Sequence, residues 1–142
     1  MPKVITFAKT FPMHHPRAGE PTGFKDKILS GEKKHTIRAG NRWEPGDVFS
    51  PREWTGLPYR TKQAEIHKEL TVLKTWNIKI AIWDLKMNTH YMTVQIEGIY
   101  QSIDEVTQLA LNDGFEKIND FHRWFQKPFR GQIICWNETV NY

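Results

Sequence analysis

A chain of 142 residues and 16.8 kDa is one domain's worth, and 39% hydrophobic and 25% charged residues, with six tryptophans, four tyrosines and eight phenylalanines, exclude a largely disordered polymer. A single cysteine, Cys135, excludes an internal disulfide and a cysteine-rich zinc site; no run nears the roughly 20 apolar residues of a membrane helix, and Lys3 and Lys9 interrupt any secretory leader, so the chain reads as cytoplasmic. Net charge is +4 with a pI near 9.2, and the whole excess lies between Lys33 and Lys62, where seven basic residues face three acidic ones.

Val4 to Ala8 is a β-branched run and predicts a first strand. Prolines and glycines then punctuate 11–23, and the spacing of Phe24 and Ile28 predicts a short helix stopped by Gly31. Thr36 to Arg38 starts an extended segment, Pro45-Gly46 a turn, and Asp47 to Ser50 another strand, followed by a surface excursion over 51–63. From Leu70 to Ile82 apolar residues fall on even positions, a period of two that predicts one long strand or a bent pair. Met92, Val94 and Ile96 alternate likewise, with a hairpin connection between the two runs. Ser102 and Glu105 have capping-box spacing ahead of a helix from about Ile103 to Gly114, and Ile118, Phe121 and Phe125 mark a second helix ended by Pro128. Gln132 to Trp136 is a last apolar strand. Short apolar strands at both ends, with more strands than helices, predict an α+β fold: a small β-barrel with short helices packed at its openings.

The chemistry concentrates where the first helix gives way to a strand. Lys33 and Lys34 adjoin Thr36 and Arg38, and alternation places Thr36 and Arg38 on one strand face. Such a cluster can hold a phosphate or carboxylate; a lysine desolvated or crowded by cations there becomes a free amine, usable as nucleophile or base. The basic window offers Lys34, Arg38, Arg42, Arg52, Arg60 and Lys62 to phosphates, and Trp43, Trp54 and Tyr59 to bases for stacking. The bland alternatives are a solvated basic loop and a helix end complementing its dipole. His14, His15, His35, His67, His90 and His122 show no HxH or HxxxH spacing, so no metal is expected, and no cofactor. Cys135, in an apolar strand, reads as a core thiol.

Gly31, Lys33, Thr36 and Arg38 match a GxKxxTxR pattern, and in this the chain resembles the ASCH domain family, of the PUA-like β-barrel superfamily linked to RNA metabolism. The order around the motif is similar too: a helix leading into it, a Pro-Gly-Asp entry at Pro45 to Asp47, and LALNDGF in the late helical region. The resemblance implies a cleft for RNA, a nucleotide or a base, with Lys33 and Thr36 at its floor. In one branch, the small bacterial N(4)-acetylcytidine amidohydrolases, the motif lysine and threonine act with a later glutamate. Carried over, these are Lys33, Thr36 and Asp113. Aspartate is one methylene shorter, which predicts a miss of about a bond length and roughly a hundredfold loss, with Glu97 the substitute carboxylate. Three expectations result: an RNA- or nucleotide-binding module; a hydrolase of an acylated nucleoside, or a ribonuclease; and a regulatory domain that binds a protein partner through 51–63.

Overall fold

The computed structural model describes residues 3–85 and 89–142. Among them are nine strands and three short helices in the order β1 (Lys3–Thr6), α1 (Phe24–Ser30), β2 (His35–Ala39), β3 (Val48–Trp54), β4 (Gln63–Glu65), β5 (Leu70–Thr71), β6 (Lys74–Leu85), β7 (Thr89–Ile96), β8 (Ile99–Tyr100), α2 (Ile103–Asn112), α3 (Ile118–Trp124) and β9 (Phe129–Cys135). The α+β class follows. The hairpin connection expected between the two runs falls on 86–88, outside the described residues.

The strands form two sheets. In the smaller, β3 is central: β1 runs parallel to it, and β4 and β5 pair with it antiparallel. The larger has the order β2-β9-β6-β7-β8, with every neighbouring pair antiparallel. Both terminal runs pair with strands, β1 with β3 and β9 with β2 and β6, but they belong to different sheets.

One seam between the sheets is tight. The period-two run from Leu70 is a bent pair: Val72 N donates to Asp47 O (2.8 Å) beside β3, and the next amide, Leu73 N, donates to Cys135 O (2.8 Å) on β9. Consecutive amides thus serve opposite sheets, which leaves no room for one continuous ladder and breaks the strand. The other seam is open. Among the described residues no main-chain ladder joins β1 to β2; the Arg38 guanidinium spans the interval, Nη2 donating to Thr6 O at 2.7 Å. The two ladders therefore do not close into one ring.

Residues 51–63 divide in a way their proline and glycine content conceals. Pro51 to Trp54 continue β3, where Pro51 is buried, and only 55–62 form an exposed loop. Pro51 fits because its backbone lacks only a donor, while its carbonyl accepts from Ile66 N at 2.9 Å.

The core lies between the sheets and under the helices, built from Ile5, Phe7, Phe49, Ile78, Ile80, Val94, Leu109, Phe121, Ile133 and Ile134. In α1, Phe24 and Ile28 bury one face, and Gly31 ends it at φ 86, a left-handed turn that glycine adopts without strain. In α2 the Ser102 hydroxyl accepts from Glu105 N (3.2 Å) while the Glu105 carboxylate accepts from Ser102 N (2.9 Å), the reciprocal cap the sequence predicts. Phe121 of α3 is fully buried and Phe125 partly so.

Candidate active site

The open seam holds a cavity of about 320 Å³. One wall is the end of β1 at Thr6, continued by Phe7 and Ala8; the facing wall is β2 (Thr36, Ile37, Arg38), and Phe24, Phe115, Trp124 and Phe125 close it from the helices. Trp54 and Tyr59 stand at the loop side, their ring centroids 5.0 Å apart.

Lys33 is on the floor and only 2% exposed. Its Nζ donates to the Asp113 main-chain carbonyl and to Asp113 Oδ1 (3.3 Å), and lies 4.4 Å from the centre of the Phe24 ring. A buried ammonium is costly, and these acceptors with the ring face are what offset that cost. The offset is incomplete. Burial pushes Lys33 down from 10.5 to about 8, helped by the Arg38 and Lys27 charges and opposed by Asp113. About a tenth of the amine is therefore uncharged at pH 7, far more than for an ordinary lysine.

Asp113 caps the end of α2, and the aspartate does reach the lysine. The physical reason is in the backbone: Lys34 N donates to Asn112 O at 2.7 Å, so the last turn of α2 is stitched to the start of β2. Gly114 completes the fit, because a Cβ there would stand 3.1 Å from Lys33 Cδ and φ is 95. With the main chain this near, a one-methylene-shorter acid comes within 3.3 Å of Lys33 Nζ. Glu97 is elsewhere, in the β7–β8 turn, its carboxylate accepting from Asn77 N at 2.7 Å.

Thr36 is buried, and its Oγ1 accepts from Arg38 Nε at 3.2 Å, as two residues on one strand face allow. With that lone pair used, the hydroxyl can donate its proton into the cavity. Lys33, Thr36, Arg38, Trp54, Tyr59 and Asp113 thus share one cavity. Lys34, Arg42, Arg52, Arg60 and Lys62 do not line it. Lys34 faces a second cavity, Arg42 lies over Trp43 (5.7 Å), Arg52 Nε donates to Ser50 Oγ (3.0 Å), and Arg60 and Lys62 belong to the exposed loop.

The structure adds His35, which the sequence reading weighs only for metal binding and sets aside. It is fully buried, with Nδ1 3.1 Å from Asp113 Oδ1 and Nε2 2.6 Å from the Tyr142 hydroxyl. Burial pushes it below its ordinary value, so it is neutral at neutral pH. Strand alternation separates His35 from Thr36, yet nothing in the sequence points to Tyr142. Cys135 is a buried thiol whose titration burial pushes up, which suits a core position. No helix among the described residues is long and apolar enough to cross a membrane.

Comparison with protein-family models, with curated proteins and with solved structures found no match for this chain.

Proposed function

We propose that this chain is an ASCH-type, PUA-like module in which the barrel stays open between β1 and β2, and that it hydrolyses an acyl group from the exocyclic nitrogen of a nucleoside such as N(4)-acetylcytidine. The observation that carries this reading is the buried Lys33 amine, titrating near 8 and held against Asp113 on the floor of a cavity of about 320 Å³. That volume is of the order that takes one small ligand, and a run of nucleic acid would have to stay outside it. Aromatic walls offer faces to a base, and Thr36 with Arg38 offers donors to a carbonyl or sugar oxygen.

In the hydrolysis the acyl C–N bond breaks, water supplies the hydroxyl of the released acid, and the base keeps a free amino group. Lys33 supplies the electron pair, either to a proton of the attacking water, whose oxygen bonds the acyl carbon, or to the acyl carbon itself, in which case water then cleaves the acyl–lysine bond and Lys33 leaves as the amine. Asp113 takes the proton from Lys33 and returns it to the departing nitrogen, while Thr36 donates to the developing oxyanion. The buried thiol of Cys135, outside any disulfide, suits a reducing cytoplasm.

A second reading is binding without chemistry. The Trp54–Tyr59 pair at the mouth, next to the loop bearing Arg60 and Lys62, favours it: bases stack on the rings and phosphates meet the loop. One experiment separates the two. Acylated nucleosides are incubated with the unaltered chain and with Lys33→Ala, Thr36→Ala and Asp113→Asn, products are resolved by chromatography, and nucleotide affinity is measured in parallel by calorimetry. A hydrolase loses nearly all turnover in Lys33→Ala and Asp113→Asn. Nucleotide binding with no turnover across the panel overturns the hydrolase reading and leaves the binding module.

A further inference from the structure

Behind Asp113, on the side away from the cavity, runs a chain of hydrogen bonds that the proposed reaction does not use. Its direction can be assigned atom by atom. A carboxylate only accepts, so His35 Nδ1 carries the ring proton and donates to Asp113 Oδ1 (3.1 Å). A neutral imidazole has one N–H, so Nε2 accepts, and the donor is the Tyr142 hydroxyl at 2.6 Å. The Tyr142 oxygen in turn accepts from Asn112 Nδ2 (2.9 Å), and Asn112 Oδ1 accepts from Gln108 Nε2 (3.0 Å). Every donor points toward Asp113. The outer end of the chain (Gln108, Asn112, Tyr142) lines a separate cavity of about 510 Å³.

We propose that His35 and Tyr142 are positioning residues: Tyr142 holds His35 in the tautomer that donates to Asp113, and that donation lets the Asp113 carboxylate stand beside an uncharged Lys33 amine. The catalytic meaning rests on the hydrolase reading; the physical content does not. When Lys33 gives up its proton, Asp113 loses its cationic partner and remains a buried carboxylate. His35 is then its side-chain donor, and the cost of the deprotonated state depends on that bond. Without it, the carboxylate holds the lysine proton more tightly.

The groups facing this pair come from several elements. Lys33 faces Asp113 from the end of α2, Arg38 from β2 and Lys27 from α1; His35 faces Asp113, Tyr142, Lys33 and Lys34; Tyr142 faces Asp113 and Cys135. Lys27 is itself held, its Nζ donating to Gly114 O at 2.7 Å and lying 3.6 Å from Glu116. None of them takes the place of the His35 donor.

The test reads Lys33 directly and needs no substrate. In protein carrying 13C-labelled lysine, the Lys33 Cε resonance, assigned by its loss in Lys33→Met, is followed across a pH titration. The midpoint expected for the unaltered chain is about 8. His35→Phe, which keeps a ring and removes the donor, raises it by roughly one pH unit, and Tyr142→Phe by a smaller step of about half a unit. His35→Asn places an amide N–H where Nδ1 stood and returns the midpoint to within about 0.3 unit of the unaltered value. Midpoints unmoved in both His35→Phe and Tyr142→Phe overturn the proposal. So does a His35→Asn midpoint that matches His35→Phe, because ring packing rather than donation then sets the amine. Should His35→Phe fail to fold, Tyr142→Phe decides alone. If the midpoints shift as expected while no acylated nucleoside is turned over, the hydrolase reading falls and the relay stands. If turnover exists, the rising limb of the kcat profile shifts with the midpoint while KM stays.

Discussion

Lys33 and Lys34 are consecutive in the chain and face different cavities, and the contrast between those cavities shows what makes a site. The Lys34 cavity is the larger, about 510 Å³ against about 320 Å³. Apart from the relay residues its polar lining is mainly exposed: Glu97, Gln101, Glu105, Thr139 and Asn141. The Lys33 cavity has a buried ion pair on its floor and rings for walls. Water can serve the first set of groups; the Lys33–Asp113 pair of the second is almost wholly covered by protein. A charge kept in such a place costs free energy that packing alone does not require, so the smaller cavity is the better candidate for chemistry.

The contrast is broken most directly by exchanging the charge on each side. Lys33→Met is expected to lower turnover of an acylated nucleoside by about a thousandfold or more, whereas Lys34→Met changes it less than about threefold, both read as kcat/KM from initial rates. Equal losses in the two variants would put the reacting group elsewhere.

A thermodynamic version comes next. Lys33 titrates at about 8 in the folded chain and near 10.5 when unfolded, so between those values the unfolded state binds more protons. Stability from this group is therefore lowest below about pH 8 and rises with pH until about 10.5, by up to about 3 kcal/mol. Cys135 and Tyr142, both pushed up by burial, act in the opposite sense. The difference between the unaltered chain and Lys33→Met isolates the lysine: urea unfolding at several pH values should show the gap change steadily across that window. A gap independent of pH would mean that Lys33 titrates normally.

Gly114→Ala sharpens the geometric side. Its φ of 95 disfavours a side chain, and the new methyl would meet Lys33 Cδ at 3.1 Å. A loss of about 1–2 kcal/mol in urea unfolding is expected, with a larger proportional loss of activity as the amine is pushed from Asp113. The smallest effect belongs to the loop side. Replacing Arg52, Arg60 and Lys62 together should leave nucleoside turnover almost unchanged, while flattening any salt dependence of RNA affinity by about 0.7 in log–log slope for each phosphate no longer neutralised. A strong loss of turnover instead would place the loop inside the reaction.

What the sequence makes legible here is local. Gly31, Lys33, Thr36 and Arg38 are read from spacing because a helix end and a strand start fix their relative directions within eight residues. The two late helices follow from a capping box and apolar periodicity. The walls are not legible: Phe24 and Trp124 meet at 5.7 Å only because α1 and α3 converge, and no local signal encodes that approach. Residues 51–54 mislead because proline and glycine signal loops, while β3 accommodates Pro51 at a position needing no amide donor. The gap between β1 and β2 is hidden for a related reason, since strand patterns show which segments are extended and not which edges meet or are left apart.

The pairing of β2 with β9 carries a consequence for how the chain acquires its site. His35 lies opposite Cys135, and Ala39 opposite Gly131, so this ladder joins segments roughly a hundred residues apart. The parallel β1–β3 pair likewise waits for Phe49 to Arg52. Closing loops of that length is entropically slow, and the contacts that reward closure come last. During synthesis Lys33 is made early but remains an ordinary, solvated lysine until α2 delivers Asp113 and the segment after β9 delivers Tyr142. The lowered titration of Lys33 is thus a property of the assembled fold, which a chain lacking α2 does not reproduce.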